Sequence, residues 1–515
     1  MSKANDRKIN PHASKAAVFS ADLSNAKTYP KLIKGLKFDT FRHIDNLRVD
    51  FNSPITVISG TNRTGKTTIL LSIACSHFEF KKRNYSNGKL ERQTWSDVLK
   101  FTHHDIQSCD WTYHLHIKTG SKTEWKRGQR KSATKKWNGL GKKESQIKDV
   151  NVVYLDLDRI LPARYYSDVL HKKALSSTPS LVSPGNQKLI ESFLSYILEQ
   201  NYAVKKLANH LDKDLLGFSA SNNYSSYNSA SGEDVLSRIV IECVEAPKNS
   251  LILIDEIELG LHPKVQRRLM DIIFEISDRD SKQFIITSHS PSIISCVPDS
   301  SRILIDQRSG SHSAICPISV NAALTKMDSA CFPLVDLFCE DQVAEKIIRK
   351  ALKELDDRKE PGLTSKLFNV IISGSASDTY ENFSVRKRIY DQVQITSGHA
   401  CILDGDMKNI KNKEGQLHYP PEPLLAFLPG SFPPERLLCD LYEASNNNTN
   451  LRYHIENSNV HCLFKKMVEL EICNDTEEAF NLCWPHLLSD IASKHEFDRL
   501  VEFIISTGKH YSPDL

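Results

Sequence analysis

The sequence predicts an α/β protein of two unequal domains, each built on a mostly parallel sheet. Three observations predict it. Apolar, strand-like runs alternate with helix-like segments from Gly232 to Asp306, and the alternation restarts after about Phe332. A glycine-rich turn follows the apolar run ITVIS and opens a helix. The composition is that of an ordinary globular chain, with 515 residues, 40% hydrophobic and 25% charged. At roughly 100–200 residues per domain this length allows two to four domains.

These figures exclude a disordered chain, a collagen and a coiled-coil rod. No apolar run approaches the ~18 residues that cross a bilayer. The first residues, MSKANDRKINPHASKAAVF, hold no apolar core, so no secretory signal is expected. The twelve cysteines include no CxxC pair, which argues against a zinc ribbon or a disulfide framework. Reduced thiols, a cytoplasmic location and no membrane contact are the expectation. A net charge of +4 is too small to imply a partner.

Element by element, residues 1–35 read as a loose arm. Residues 36–58 read as two or three strands, and a helix is expected from Gly65 to His77. WTYHLHIK and VVYLDLD read as strands, residues 186–215 as helix, and SASNNYSSYNSASG as a loop. The runs LILID, FIITS and RILID read as strands of one parallel sheet, with a helix in HPKVQRRLMDIIFEI. The domain boundaries predicted are 36–330, with an insert at about 80–225, then 331–450, then a helical tail over 451–515.

Chemistry concentrates first at Gly60–Thr67, which fits GxxxxGK[ST] between a strand and a helix. Backbone N–H groups of Gly60, Asn62, Arg63, Thr64 and Gly65 should face phosphate oxygens, with Thr68 in the first helical turn. Lys66 should reach the β- and γ-phosphates, and the Thr67 hydroxyl should hold Mg²⁺. Asp255 and Glu256 end the buried run LILI, where α/β sheets bind ligands. Asp255 should complete the Mg²⁺ shell and Glu256 should polarise the attacking water. Ser231 and Gly232 open a helix 24 residues earlier, offering a hydroxyl and N–H groups to an anion. His289 ends the strand FIIT, where its imidazole could meet a γ-phosphate.

The segments GTNRTGKTT, SASGED, LILIDEIELGLHP and TSHSP resemble the Walker A, signature, Walker B with D-loop, and H-loop of ABC-type ATPases. The branch is that of the SMC, RecF and OLD (overcoming lysogenization defect) proteins, and the likeness covers about residues 36–310. It implies that ATP is sandwiched between two heads. Lys66 and Thr67 of one chain would then meet Ser231 of its neighbour, with Glu256 and His289 at the γ-phosphate. Long heptad arms are absent, and no Q-loop glutamine is assigned; Gln93 and Gln107 are the two candidates.

A second carboxylate set follows. Glu340 ends the run LFC, and Asp404 and Asp406 end HACIL, positions from which neighbouring strand ends could hold one or two Mg²⁺. The alternative is a solvated acidic rim. The arrangement resembles the TOPRIM (topoisomerase–primase) nuclease domain that OLD proteins attach to the same ATPase, with Gly374 at a usual glycine. Asp341 stands where a glycine is usual, and Ala344 beside Glu345 displaces an expected acid.

Residues 118–148 carry eleven Lys/Arg against two acids, with Trp125 and Trp137 interleaved. Lys126, Arg127, Arg130, Lys131, Lys135 and Lys136 could grip a nucleic-acid backbone while the indoles stack on bases; a solvated basic hairpin is the alternative. The motif order, with CEDQVAEKII, also resembles Septu-type and retron-associated defence ATPases. That resemblance implies ATP-controlled oligomers acting with an HNH nuclease partner, and contact with DNA, RNA or retron msDNA. A self-sufficient OLD-type nuclease and a nucleotide-gated scaffold with little turnover remain as alternatives.

Overall fold

The computed structural model describes residues 9–511, except 26–27, 84–89, 106, 162, 167, 211–212, 309–310, 329–332, 361, 394–397 and 413. The chain divides into two compact units, Met1–Ala323 and Leu324–Leu515.

The first unit holds a six-stranded sheet in the order Ser311–Ile315, Arg302–Arg308, Ile55–Ser59, Gln283–Thr287, Leu251–Ile254, Val152–Leu155. Every pair is parallel except the edge pair of 302–308 with 311–315. Ile55–Ser59 and Leu251–Ile254 are buried throughout, as strands covered on both faces must be. The register sets Ile254 opposite Leu155 and Ile286, and Thr287 opposite Ile58. The residues just past these four strands therefore share one edge of the sheet.

A five-stranded antiparallel sheet lies in the order Ile44–Asp50, Lys31–Phe41, Trp111–Thr119, Lys122–Arg130, Trp137–Gly139. Its Phe38, Phe41 and Tyr113 share one core with Ile69, Leu70 and Ile73 of the helix Lys66–Ala74, and with Leu253 and Ile285 of the parallel sheet. Each such side chain stabilises the fold by about 1.5–3 kcal/mol. That shared core fixes the phosphate-loop helix against the sheet edge.

Three expectations are corrected here. The described part of residues 1–35 is no loose arm: the helix Pro11–Phe19 sets Phe19 edge-on to Phe274, and Ser14 Oγ donates to Glu275 at 2.7 Å. Residues 186–215 are not one helix. The helix Gln187–Leu198 stops where Glu199 turns left-handed (φ 56°), and Ala203–His210 pairs with Lys213–Ser219 in a small antiparallel sheet. Burial of Val204, Leu215 and Phe218 against neighbours outweighs the helical propensity of the stretch. Residues 80–225 are not one insert, because Trp111–Thr119 and Val152–Leu155 are strands of the two main sheets.

The second unit carries a four-stranded parallel sheet, Phe368–Ile372, Val335–Cys339, Gly398–Leu403, Leu425–Phe427. The helices Gln342–Arg358 and Ala376–Val393 belong to it. The helical segment predicted as a tail begins earlier, at Pro434, and is integral to the unit. Its last helix, Ile491–Tyr511, meets Arg358 through Asp498 and Glu502 at 3.2 and 2.6 Å.

Candidate active site

The phosphate loop closes on itself. Gly65 sits at φ 94°, and a Cβ there would lie 2.4 Å from the Ile44 side chain, so only glycine fits. Lys66 Nζ donates to the Gly60 and Thr61 carbonyls at 2.8 and 2.9 Å. Thr64 Oγ1 donates to the Thr61 carbonyl at 2.9 Å, holding the curl. Asn62, Arg63 and Thr67 are exposed on the loop, whereas Thr68 is buried with its hydroxyl accepting from Arg42 at 3.1 Å.

Asp255 is the hub of the site. Its Oδ2 accepts from the Thr67 hydroxyl at 2.9 Å, and its Oδ1 from the Thr287 hydroxyl at 2.6 Å. Thr287 Oγ1 in turn accepts the Glu256 N–H at 2.8 Å. The first turn of the helix Lys66–Ala74 and the strand ends at 254 and 287 are thereby tied through one carboxylate. Glu256 itself adopts φ 48°, a left-handed conformation that turns its side chain out of the strand path. Burial, with Asp255 and Glu258 close by, raises its carboxyl above the ordinary glutamate range. Burial lowers the Lys66 ammonium, against the opposing pull of Glu256, Asp255 and Glu258.

His289 is half-buried beside these groups, and burial and Lys66 both lower its imidazole. Its backbone N–H donates to Glu258 Oε1 at 2.6 Å. Thr287 and Arg159 were invisible to motif reading. Arg159 is buried and donates to the Glu256 and Asp156 carbonyls. Only Glu258 carried a signal, as the third acid of DEIE. Thr67 and Asp255 line a cavity of about 600 Å³ that Gln93 also lines. Gln107 instead bonds the Arg130 carbonyl at 3.1 Å, so Gln93 alone of the two candidates stands by the cavity. The Thr67 hydroxyl and the Asp255 carboxylate, at a cavity wall, fit a hard cation such as Mg²⁺.

Ser231 stands exposed at the first turn of the helix Ser231–Glu245. A Cβ on Gly232 would lie 2.5 Å from the Gly260 carbonyl, so this glycine lets the helix start touch the loop after the acids.

The basic run is corrected. Arg130 is buried, its guanidinium 4.1 Å from the Phe101 ring centroid. Lys118 is buried and donates to the Tyr29 carbonyl at 3.1 Å. Trp137 is buried, stacked on Trp95 at 4.9 Å, and cannot reach a base. Among the rest, Lys126 pairs with Glu124 at 3.0 Å and Lys131 with Asp110 at 2.7 Å. Arg127, Lys135, Lys136 and Trp125 are exposed.

In the second unit, Glu340 Oε1 accepts the Asp404 N–H at 2.7 Å, joining the ends of two adjacent parallel strands. Burial, with Glu340 and other acids nearby, raises Asp404 to about 9; burial raises Glu340 to about 7. Asp404 Oδ1 and Asp406 Oδ1 are buried without a hydrogen-bond partner. The three acids are thus brought together as the sequence suggested.

Residues 134–295 match a family model described as "AAA domain, putative AbiEii toxin, Type IV TA system". The match contains Ser231, Asp255–Glu256 and His289, and the phosphate loop lies outside it. Over those residues the first unit is similar to an ATPase domain of that family. A 41-residue stretch is 49% identical to the DNA replication and repair protein RecF of Clostridium acetobutylicum, covering 8% of this chain and 11% of that protein. The Septu protein PtuA of Bacillus thuringiensis is 25% identical over 304 residues, 51% of this chain and 73% of PtuA. The SMC head domain of Thermotoga maritima aligns at a TM-score of 0.34 and 11% identity, over 55% of this chain and 98% of that one. Among the described residues no helix is long and apolar enough to cross a membrane.

Proposed function

We propose that this ATPase is the nucleotide-driven subunit of an antiviral defence complex of the Septu type, in which ATP joins two copies and so governs a partner nuclease of HNH type. The Asp255 hub carries the catalytic half of the reading, and the likeness to PtuA supports the biological half. Lys66, released from the Gly60 and Thr61 carbonyls, neutralises β- and γ-phosphate charge. Thr67 and Asp255 would hold Mg²⁺, which when bound screens the triphosphate. Glu256, with its raised carboxyl, is a stronger proton acceptor than a solvated glutamate and orients the attacking water. His289 donates toward the γ-phosphate, and Gln93 senses the cavity wall. Ser231, exposed at the start of its helix, closes the phosphate site of a second copy.

The deciding experiment is hydrolysis with binding measured in parallel. Glu256→Gln should retain ATP binding and slow turnover by about a hundredfold or more, of the order seen when a general base is removed. Lys66→Ala should lose binding itself. Equal turnover in Glu256→Gln and the parent would overturn the role given to that carboxylate.

A second reading has its own observation. Glu340, Asp404 and Asp406 meet at two strand ends with orphaned oxygens, which favours a metal-dependent nuclease in the chain itself. Cleavage of DNA by the purified chain with Mg²⁺ or Mn²⁺, lost in Asp404→Ala, would support it. Phosphate release too slow to measure despite tight ATP binding would favour a scaffold instead.

A further inference from the structure

The second unit contains a cavity of about 880 Å³, lined in part by Glu340, Asp341, Asp404, Glu435 and His461. Three of these residues converge beside the Glu340 and Asp404 pair. One ligand-type atom from each of Asp341, Glu435 and His461 lies within 4.8 Å of the others. They come from three elements: the N-cap of the helix Gln342–Arg358, the first turn of the helix Pro434–Asn446, and the 3₁₀ turn Val460–Cys462. Asp341 spends Oδ1 on the N–H groups of Val343 and Ala344 at 2.9 and 2.8 Å, which fixes its carboxylate in place.

Glu435 supplies the second observation. It is 4% exposed, and its Oε2 has no hydrogen-bond partner although it lines the cavity. Its Oε1 lies 3.3 Å from His461 Nδ1. A buried carboxylate with one oxygen unpaired is unfavourable unless a cation completes it. Asp404 Oδ1, on the same cavity, is a second buried oxygen with no hydrogen-bond partner.

We propose that Asp341, Glu435 and His461 form a binding site for one divalent transition-metal ion. The donor set names the class. Two carboxylates with an imidazole suit Zn²⁺ or Mn²⁺, whereas Mg²⁺ and Ca²⁺ favour all-oxygen shells. The ion ties the carboxyl edge of the parallel sheet to the helical layer over it. This site does not depend on the ATPase reading, and its ligands differ from Glu340, Asp404 and Asp406.

The test uses the untagged full chain, free of nucleotide, stripped with chelator and dialysed against Zn²⁺ or Mn²⁺. Metal content per chain and affinity by competition are measured. The expected result is one ion per chain, with affinity falling by at least the roughly 10–100-fold that even an outer-shell change costs in both Glu435→Gln and His461→Ala. The His461 side chain is 64% exposed, so its removal leaves the fold intact and a loss there cannot come from unfolding. The Glu340→Gln/Asp404→Asn double variant should keep the ion. No bound ion in the parent, unchanged affinity in His461→Ala, or loss confined to the Glu340/Asp404 variant would each overturn the assignment.

Discussion

Each oxygen of the Asp255 carboxylate is met by a threonine hydroxyl, one from the phosphate loop and one from the neighbouring strand end. Thr287 also receives the Glu256 N–H, so one hydroxyl orients both acids. Thr287→Val keeps the shape and removes both bonds. A hydrogen bond to a charged group is worth about 1.5–3 kcal/mol, so turnover should fall by roughly 10–100-fold while ATP binding persists; unchanged turnover in a phosphate-release assay would show that the hydroxyl does not position the acids. His77 offers a separate test of the core. It is fully buried, its Nδ1 donates to the Ile73 carbonyl at 2.7 Å, and burial lowers its imidazole to about 4. Unfolded histidine titrates near 6.5. Between those values the unfolded chain binds more protons, so stability is full above about 6.5 and is lost as pH falls toward 4. The expected loss at pH 4.5 is about 2–3 kcal/mol, read as the extra pH dependence of the parent over His77→Gln in urea unfolding at pH 7 and 4.5.

Among the elements, the parallel strands and the phosphate-loop helix were legible because their burial is nearly complete and their punctuation is sharp. ITVIS before Gly60 and LILI before Asp255 admit little else. The stretch after Leu198 was not legible, since Ala, Lys and Leu favour helix locally while the strands they form gain from pairing and packing. The basic run misled for a related reason. Charge counts report composition, but Lys118 and Arg130 point into packed surroundings and satisfy their donors on carbonyls and rings. Thr287 and Arg159 act through contacts made 32 and 97 residues away, which no local pattern announces. The helix Ser231–Glu245 gives an element-scale prediction. Gly232→Ala places a Cβ 2.5 Å from the Gly260 carbonyl, so the helix start must shift. ATP-dependent association, followed by light scattering, should weaken while nucleotide binding by the isolated chain stays near the parent value.

For the whole molecule, we propose that the ATP site is completed by two copies, with the cradle from one and Ser231 from the other. A symmetric pair then contains two composite sites. Lys66→Ala and Ser231→Arg should each be nearly inactive alone. In a pair formed from one of each, one site carries both defects and the other carries neither. An equal mixture should therefore recover about a quarter of parental ATP hydrolysis, because half the pairs are mixed and each has one intact site. No recovery on mixing, with both variants folded and able to associate, would contradict the shared site.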